Sequence, residues 1–182
     1  MKYIVAASRK KLKVWSYPER ELYESPLFHN HQVKKVIMTP NGKLAITGSQ
    51  DKVIIWDCNT KSYIKGFQDY TGYVGSMSVS SDGKIFAYGC GDNNIHLVNL
   101  DTLETFQLIS GHSSGVLNIY IENKYDYILS IEYDGIIRSG QISDPRKEKY
   151  WEINVKDCTE VKSYSKKYFM TVHRYYLMLW KF

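Results

Sequence analysis

The sequence predicts an all-β fold assembled from repeated four-stranded units. Three observations carry this. Apolar residues come in short alternating or continuous bursts, with no stretch at helical spacing long enough for a substantial helix. Tryptophan recurs at one phase: Trp15, Trp56 and Trp180 fall on a series completed by Val98 and Gly140, with steps of 41, 42, 42 and 40 residues. Asn41-Gly42, Asp82-Gly83 and Asp134-Gly135 stand between apolar bursts, where a tight turn needs the positive φ that glycine tolerates.

Each period has the same internal order. The segments "YIVAASRKKLKVWS", "LAITGSQDKVIIWD", "IFAYGCGDNNIHLVN", "YILSIEYDGIIRSGQ" and "YFMTVHRYYLMLWKF" each read as apolar strand, short polar turn, apolar strand. Upstream of three of them lies another strand and turn: "HQVKKVIMTPNGK", "GYVGSMSVSSDGK" and "SGVLNIYIENKYD". A fourth strand follows the tryptophan position, as in "KSYIKGF" and "LETFQLI". Four strands per period of about 40 residues is the pattern of a propeller blade.

Composition sets the outer bounds. The chain has 182 residues, 43% of them hydrophobic and 14% aromatic, enough for a real core in one domain. No Gly/Ser-rich or Pro-rich tract marks a linker. A formal charge of +5 permits an acidic partner without demanding one. Cys58, Cys90 and Cys158 are an odd number without C-x-x-C spacing, which argues against a disulfide framework or a cysteine-rich zinc site. "MKYIVAASRKK" is too short in its apolar part for a signal peptide, and no apolar run approaches the ~20 residues of a membrane helix. An intracellular protein, cytoplasmic or nuclear, is expected.

At this point the sequence resembles the WD-repeat β-propeller family over nearly its whole length. The second repeat carries the resemblance best, in "FHNHQVKKV…TPNGKLAITGSQDKVIIWD". The resemblance implies a hydrogen-bonded tetrad within this blade made by His29, Thr47, Asp51 and Trp56. It implies a partial tetrad of His112, Ser130 and Asp134 in the fourth repeat, where Gly140 replaces Trp. The third repeat has Tyr70, Tyr88 and Val98 in the His, Thr and Trp places and keeps Asp92; the fifth keeps Thr171 and Trp180.

Counted by phase, the strands number three, then three fours, then three, for 18 in all. A closed ring needs whole blades. The expectation is an incomplete arc of four to five blades, bounded approximately at 1–28, 29–68, 69–110, 111–155 and 156–182, with a closed small propeller as the alternative. Residues 3–7, "YIVAA", and 176–180, "YLMLW", would be apolar edge strands needing cover.

Isolated motifs have plainer readings. "GHSSG" fits G-x-S-x-G around Ser113, but a strand pattern follows where a nucleophile elbow needs a helix. "HNH" at 29–31 lacks a third metal ligand nearby, and "GCGD" lacks the lysine and helix of a phosphate loop. No catalytic residue, metal, cofactor or small-molecule substrate is expected. By phase, Lys43, Lys61, Lys84, Lys124, Arg146, Lys147 and Lys166 share one face of the disc. The opposite face carries Arg9, Lys10, Lys11, Tyr70, Tyr73, Tyr133 and Tyr175 as candidate contacts. The resemblance implies a non-catalytic protein–protein interaction scaffold in a multi-subunit assembly, its partners covering the open edges. The alternative is an RNA- or ribonucleoprotein-binding module using the lysine-rich face.

Overall fold

The computed structural model describes residues 2–19, 21–26, 28–68, 72–122, 126–143, 149–151, 158–165, 168–174 and 177–181, with the backbone alone described at 2, 149–151 and 163–165. These residues form five antiparallel sheets in chain order. The first contains β1 (Lys2–Ser8), β2 (Lys11–Tyr17) and β3 (Leu22–Glu24). The second contains β4 (Lys35–Met38), β5 (Leu44–Gly48), β6 (Val53–Asp57) and β7 (Ser62–Phe67). The third contains β8 (Ser76–Val79), β9 (Ile85–Gly89), β10 (Ile95–Asn99) and β11 (Glu104–Ile109). The fourth contains β12 (Val116–Glu122), β13 (Tyr127–Glu132), β14 (Ile137–Gln141) and β15 (Lys149–Trp151). The fifth contains β16 (Cys158–Ser165), β17 (Tyr168–His173) and β18 (Leu177–Lys181). Strand order in every sheet follows chain order, so each blade is a simple meander.

The sheets pack face to face in sequence. Along the inner side β1 lies against β4, β4 against β8, β8 against β12, and β12 against β16. Among the described residues the first and last sheets make no comparable contact, so the blades form an arc and not a closed ring. The first blade has strands of the second, third and fourth phase, the last those of the first, second and third.

Period-two geometry explains why the central strands are apolar throughout. Successive side chains point to opposite faces, and in a middle blade both faces meet a neighbour. On β5 and β6, Ala45, Ile54 and Trp56 pack toward the first blade with Tyr3, Leu12 and Val14. The intervening Ile46, Val53 and Ile55 pack toward the third blade with Val74, Phe86, Tyr88 and Val98. The same division recurs between the third and fourth blades, where Ala87, Ile95 and Leu97 meet Val116, Ile119 and Ile121. Leu129, Ile131 and Ile137 then meet Val161 and Phe169 of the fifth. The core is thus four slabs between sheets. Edge strands depart from this: β11 alternates exposed and covered residues and β7 does so over residues 63–66, as strands covered on one face do.

Two glycines set how closely blades approach. A Cβ added at Gly89 would sit 2.7 Å from Val116 Cβ and 2.8 Å from Ser76 Oγ; one added at Gly48 would sit 2.8 Å from Met77 Sδ and 2.9 Å from Val74 Cγ1. Both glycines end the second strand of a blade, and each leaves room for the first strand of the next. Gly89→Ala should therefore force the third and fourth blades apart and destabilise by about 1–3 kcal/mol. An urea midpoint unchanged from wild type would show that the slab does not need the gap.

Candidate functional site

The second blade holds a continuous buried polar chain. Antiparallel pairing of β5 with β6 sets Ala45 opposite Trp56 and Thr47 opposite Ile54, which places Thr47 and Trp56 on one face as diagonal neighbours. Trp56 Nε1–H donates to Thr47 Oγ1 at 2.9 Å. Thr47 Oγ1 lies 2.8 Å from His29 Nε2, and His29 Nδ1 lies 2.9 Å from Ser49 Oγ. The Ser49 hydroxyl donates to Asp51. Indole N–H can only donate and carboxylate can only accept, so the network assigns one direction. Thr47, having accepted from Trp56, gives its proton to His29 Nε2; His29 Nδ1–H then donates to Ser49. Phe28 packs edge-on to the Trp56 ring with centroids 5.1 Å apart.

Charge in this chain sits at its wet end. Burial pushes the pKa of His29 from 6.5 to about 4, against the pull of the Asp51 carboxylate, so the ring is neutral at pH 7 and can accept from Thr47. Burial alone would raise Asp51, but the Ser49 hydroxyl and the Asn30 amide hold it below its ordinary value. The Asn30 amide donates to Asp51 Oδ2 at 2.9 Å, tying the loop before β4 to the turn between β5 and β6.

The structure thus joins His29, Thr47 and Trp56 directly, while Asp51 enters through Ser49, a residue the sequence reading did not single out. The same position recurs in later blades. Ser49, Cys90, Glu132 and His173 follow Thr47, Tyr88, Ser130 and Thr171 by two residues each, and all four are buried. That spacing was the available signal. In the fourth blade, His112 Nε2 lies 2.9 Å from Ser130 Oγ, but Asp134 accepts from Ser113 Oγ at 3.0 Å and not from His112. Glu132 takes over: it accepts from the Ser113 and Ser114 amides at 2.8 and 2.9 Å and pairs with Arg138. Burial opposes its ionisation, yet these donors keep its carboxyl below the ordinary value. In the fifth blade, Trp180 Nε1–H donates to Thr171 Oγ1 at 2.9 Å, and Thr171 lies 2.9 Å from His173 Nε2. In the third, Tyr88 stacks on His96 at 4.6 Å and 8°, and His96 Nε2 meets Asp92 at 3.0 Å.

The two ends of the blades differ. At the end carrying Asp51, Asp92 and Asp134, exposed Tyr73 and Tyr133 meet hydroxyl to hydroxyl at 3.0 Å. They border a cavity of about 220 Å³ lined also by Gly75, Cys90, Asn93 and Val116. Arg9, Lys10 and Lys11 stand on a separate hairpin of the first blade, where Lys11 pairs with Glu24 at 2.7 Å. At the opposite end, Lys43 and Lys84 are exposed in equivalent turns, and Lys61 lies 3.5 Å from Glu21. Tyr70, Lys124, Arg146, Lys147, Lys166 and Tyr175 lie outside the described residues. Ser113 precedes β12, a strand, and its hydroxyl donates to Glu132 and Asp134; the strand–turn–helix of a nucleophile elbow is not its setting.

Two outcomes follow. Trp56→Ala removes a fully buried indole and one of the bonds to Thr47, and should cost about 3–5 kcal/mol. Trp15→Ala should cost clearly less, since Ala6 holds the place of Thr47 in the first blade. Equal losses in denaturant titrations would contradict the polar chain's role. Second, His29 resists protonation when folded and accepts it near 6.5 when unfolded. Below pH 6.5 the unfolded state binds more protons, so stability present at pH 7 should fall as pH drops toward about 4. His29→Gln should flatten that part of the stability–pH profile; a slope identical to wild type between pH 7 and 5 would rule it out.

Comparisons with known proteins agree with this architecture. The repeat family described as "WD domain, G-beta repeat" matches residues 23–57 and 61–99. The chain is 22% identical over 134 residues to Autophagy-related protein 16 of Arabidopsis thaliana, covering 72% of this chain and 24% of that protein. It is 23% identical over 153 residues to Cilia- and flagella-associated protein 57 of Mus musculus, covering 82% of this chain and 12% of that one. The chain therefore spans about a quarter or less of the length of these relatives. Among solved structures, "Structure of U3-55K" superposes on 99% of this chain and 57% of its own with a TM-score of 0.83 at 13% identity. The chain thus carries two matched WD repeats, at residues 23–57 and 61–99, and its five blades have the β-propeller arrangement of a solved structure.

Proposed function

We propose that this chain is a non-catalytic scaffold that binds other proteins within a multi-subunit assembly. The observation that carries the reading is the contrast between middle blades whose central strands are buried on both faces and two uncovered apolar margins. At the margins, Ile4 of β1 is 62% exposed, and Leu177 and Leu179 of β18 are 64% and 62% exposed. Such strands template further pairing and bury apolar surface when covered. Another chain, a second copy, or further sequence of the same polypeptide is suited to that role. The exposed Tyr73–Tyr133 pair adds aromatic contact area of the type enriched in protein interfaces. Three free, buried cysteines fit a reducing compartment, cytoplasmic or nuclear. No helix among the described residues is long and apolar enough to cross a membrane.

Exposed Lys43 and Lys84 support the second reading, an RNA- or ribonucleoprotein-bound module. Affinity for generic RNA that falls steeply with salt would favour it over the first.

The scaffold reading predicts that the isolated chain self-associates through its margins. Size-exclusion chromatography with light scattering should give a mass above the monomer, and Leu177→Lys with Leu179→Lys should lower it. A wild-type monomer that stays monodisperse as concentration rises would count against the proposal.

A further inference from the structure

The third blade departs from its neighbours at one place. In the second blade, Ser49, Asp51 and Ile55 occupy the end of the second strand, the following turn and the third strand. In the fourth blade the same places hold Glu132, Asp134 and Arg138, and Glu132 and Arg138 form a buried ion pair. In the third blade they hold Cys90, Asp92 and His96, within the stretch "CGDNNIH". A soft sulfur, a carboxylate and an imidazole stand where the fourth blade has two carboxylates and a cation.

These three groups converge. One ligand atom from each, Sγ, a carboxylate oxygen and an imidazole nitrogen, all lie within 4.8 Å of one another. Cys90 Sγ is 2.9 Å from Asp92 Oδ1, and His96 Nε2 is 3.0 Å from Asp92 Oδ2. Stacking on Tyr88 fixes the plane of the imidazole, and the Asn94 amide holds the carboxylate at 2.9 Å. Cys90 also lines the 220 Å³ cavity beside Tyr73 and Tyr133, so one side of the cluster adjoins space. Tetrahedral zinc takes ligands at about 2.0–2.3 Å, which sets neighbouring ligand atoms about 3.3–3.8 Å apart. Small side-chain rotations reach that arrangement from the observed spacing.

We propose that Cys90, Asp92 and His96 form a binding site for a zinc-class divalent cation, with the adjoining cavity giving room for a fourth ligand. The donor set of sulfur, nitrogen and oxygen is the type that borderline cations prefer over magnesium or calcium. Binding is balanced simply. Cys90 releases its thiol proton to solvent and ligates as thiolate; His96, whose Nε2–H donates to Asp92 in the absence of a cation, gives up that Nε2 proton, keeps one on Nδ1 and ligates through Nε2; Asp92 exchanges that hydrogen bond for the cation and ligates as carboxylate. The expectation of no metal rests on "HNH" and the lack of C-x-x-C spacing, whereas these ligands meet within the single hairpin of β9 and β10.

The test uses the 182-residue chain treated with chelator and titrated with Co2+, then with Zn2+ in competition with a chromophoric chelator. Expected are one Co2+ per chain with thiolate-to-metal charge-transfer absorption, and its displacement by Zn2+. Cys90→Ser should abolish the band. It should fold, since serine occupies the matching place in the second blade. His96→Gln should lower Zn2+ affinity by at least about tenfold, because losing even a residue that merely orients a ligand costs that much. Cys58→Ser and Cys158→Ser should leave both readings unchanged. No charge-transfer band in the wild type, a band surviving Cys90→Ser, or a band lost equally in Cys58→Ser would each overturn the site.

Discussion

A middle blade of this molecule has two buried faces, and everything else follows from that constraint. A sheet covered on one side can keep polar residues on the other. The central strands here have no such outlet, so their side chains run apolar in both registers, as in "VIIW" of β6. Any polar side chain that enters this slab must find its partners there, because an unpartnered polar group loses its hydration without return. The chain from Trp56 through Thr47, His29 and Ser49 to Asp51 answers that demand. It carries hydrogen bonding from the middle of the slab to a carboxylate at the rim, with each group donating to the next.

The other blades solve the same problem with different parts. Where Gly140 takes the tryptophan place, the donor is gone, and the polar residues regroup around Glu132 and Arg138 nearer the rim. Where Val98 takes it, Tyr88 and His96 stack and the hydrogen bonding collects on Asp92. In the fifth blade His173, from the strand itself, serves Thr171. A common backbone thus accommodates several side-chain arrangements at these places. This also explains why the periodic tryptophan is dispensable in two blades while the apolar pattern is not.

Much of the fold was legible because the period is written in residue types with strong local meaning. The tryptophan phase, the Asn-Gly and Asp-Gly turns and the alternation of apolar residues each report short-range geometry, and together they gave the strand count of three, four, four, four and three now seen in the sheets. His29, Thr47 and Trp56 could be placed together for the same reason. Ser49, Glu132 and the His173 contact were harder to see. Serine, glutamate and histidine at the end of a strand ordinarily face solvent. For Glu132, burial goes with the loop of the preceding segment folding over the strand end, where the Ser113 and Ser114 amides donate to it. Likewise, phase sets Asp134 as the acceptor for His112, but the buried glutamate two residues earlier captures the loop's amides.

The functional reading rests on a buried interior with uncovered margins, so the state of the interior is the claim to test first. Hydrogen exchange at the Trp56 indole N–H, followed by NMR, reports on it directly. If that proton is held by Thr47 inside the slab, it should exchange only with global unfolding, at a rate matching the most protected amides of β5 and β6. Exchange as fast as that of an exposed indole, under conditions where those amides stay protected, would contradict the buried chain on which this account depends.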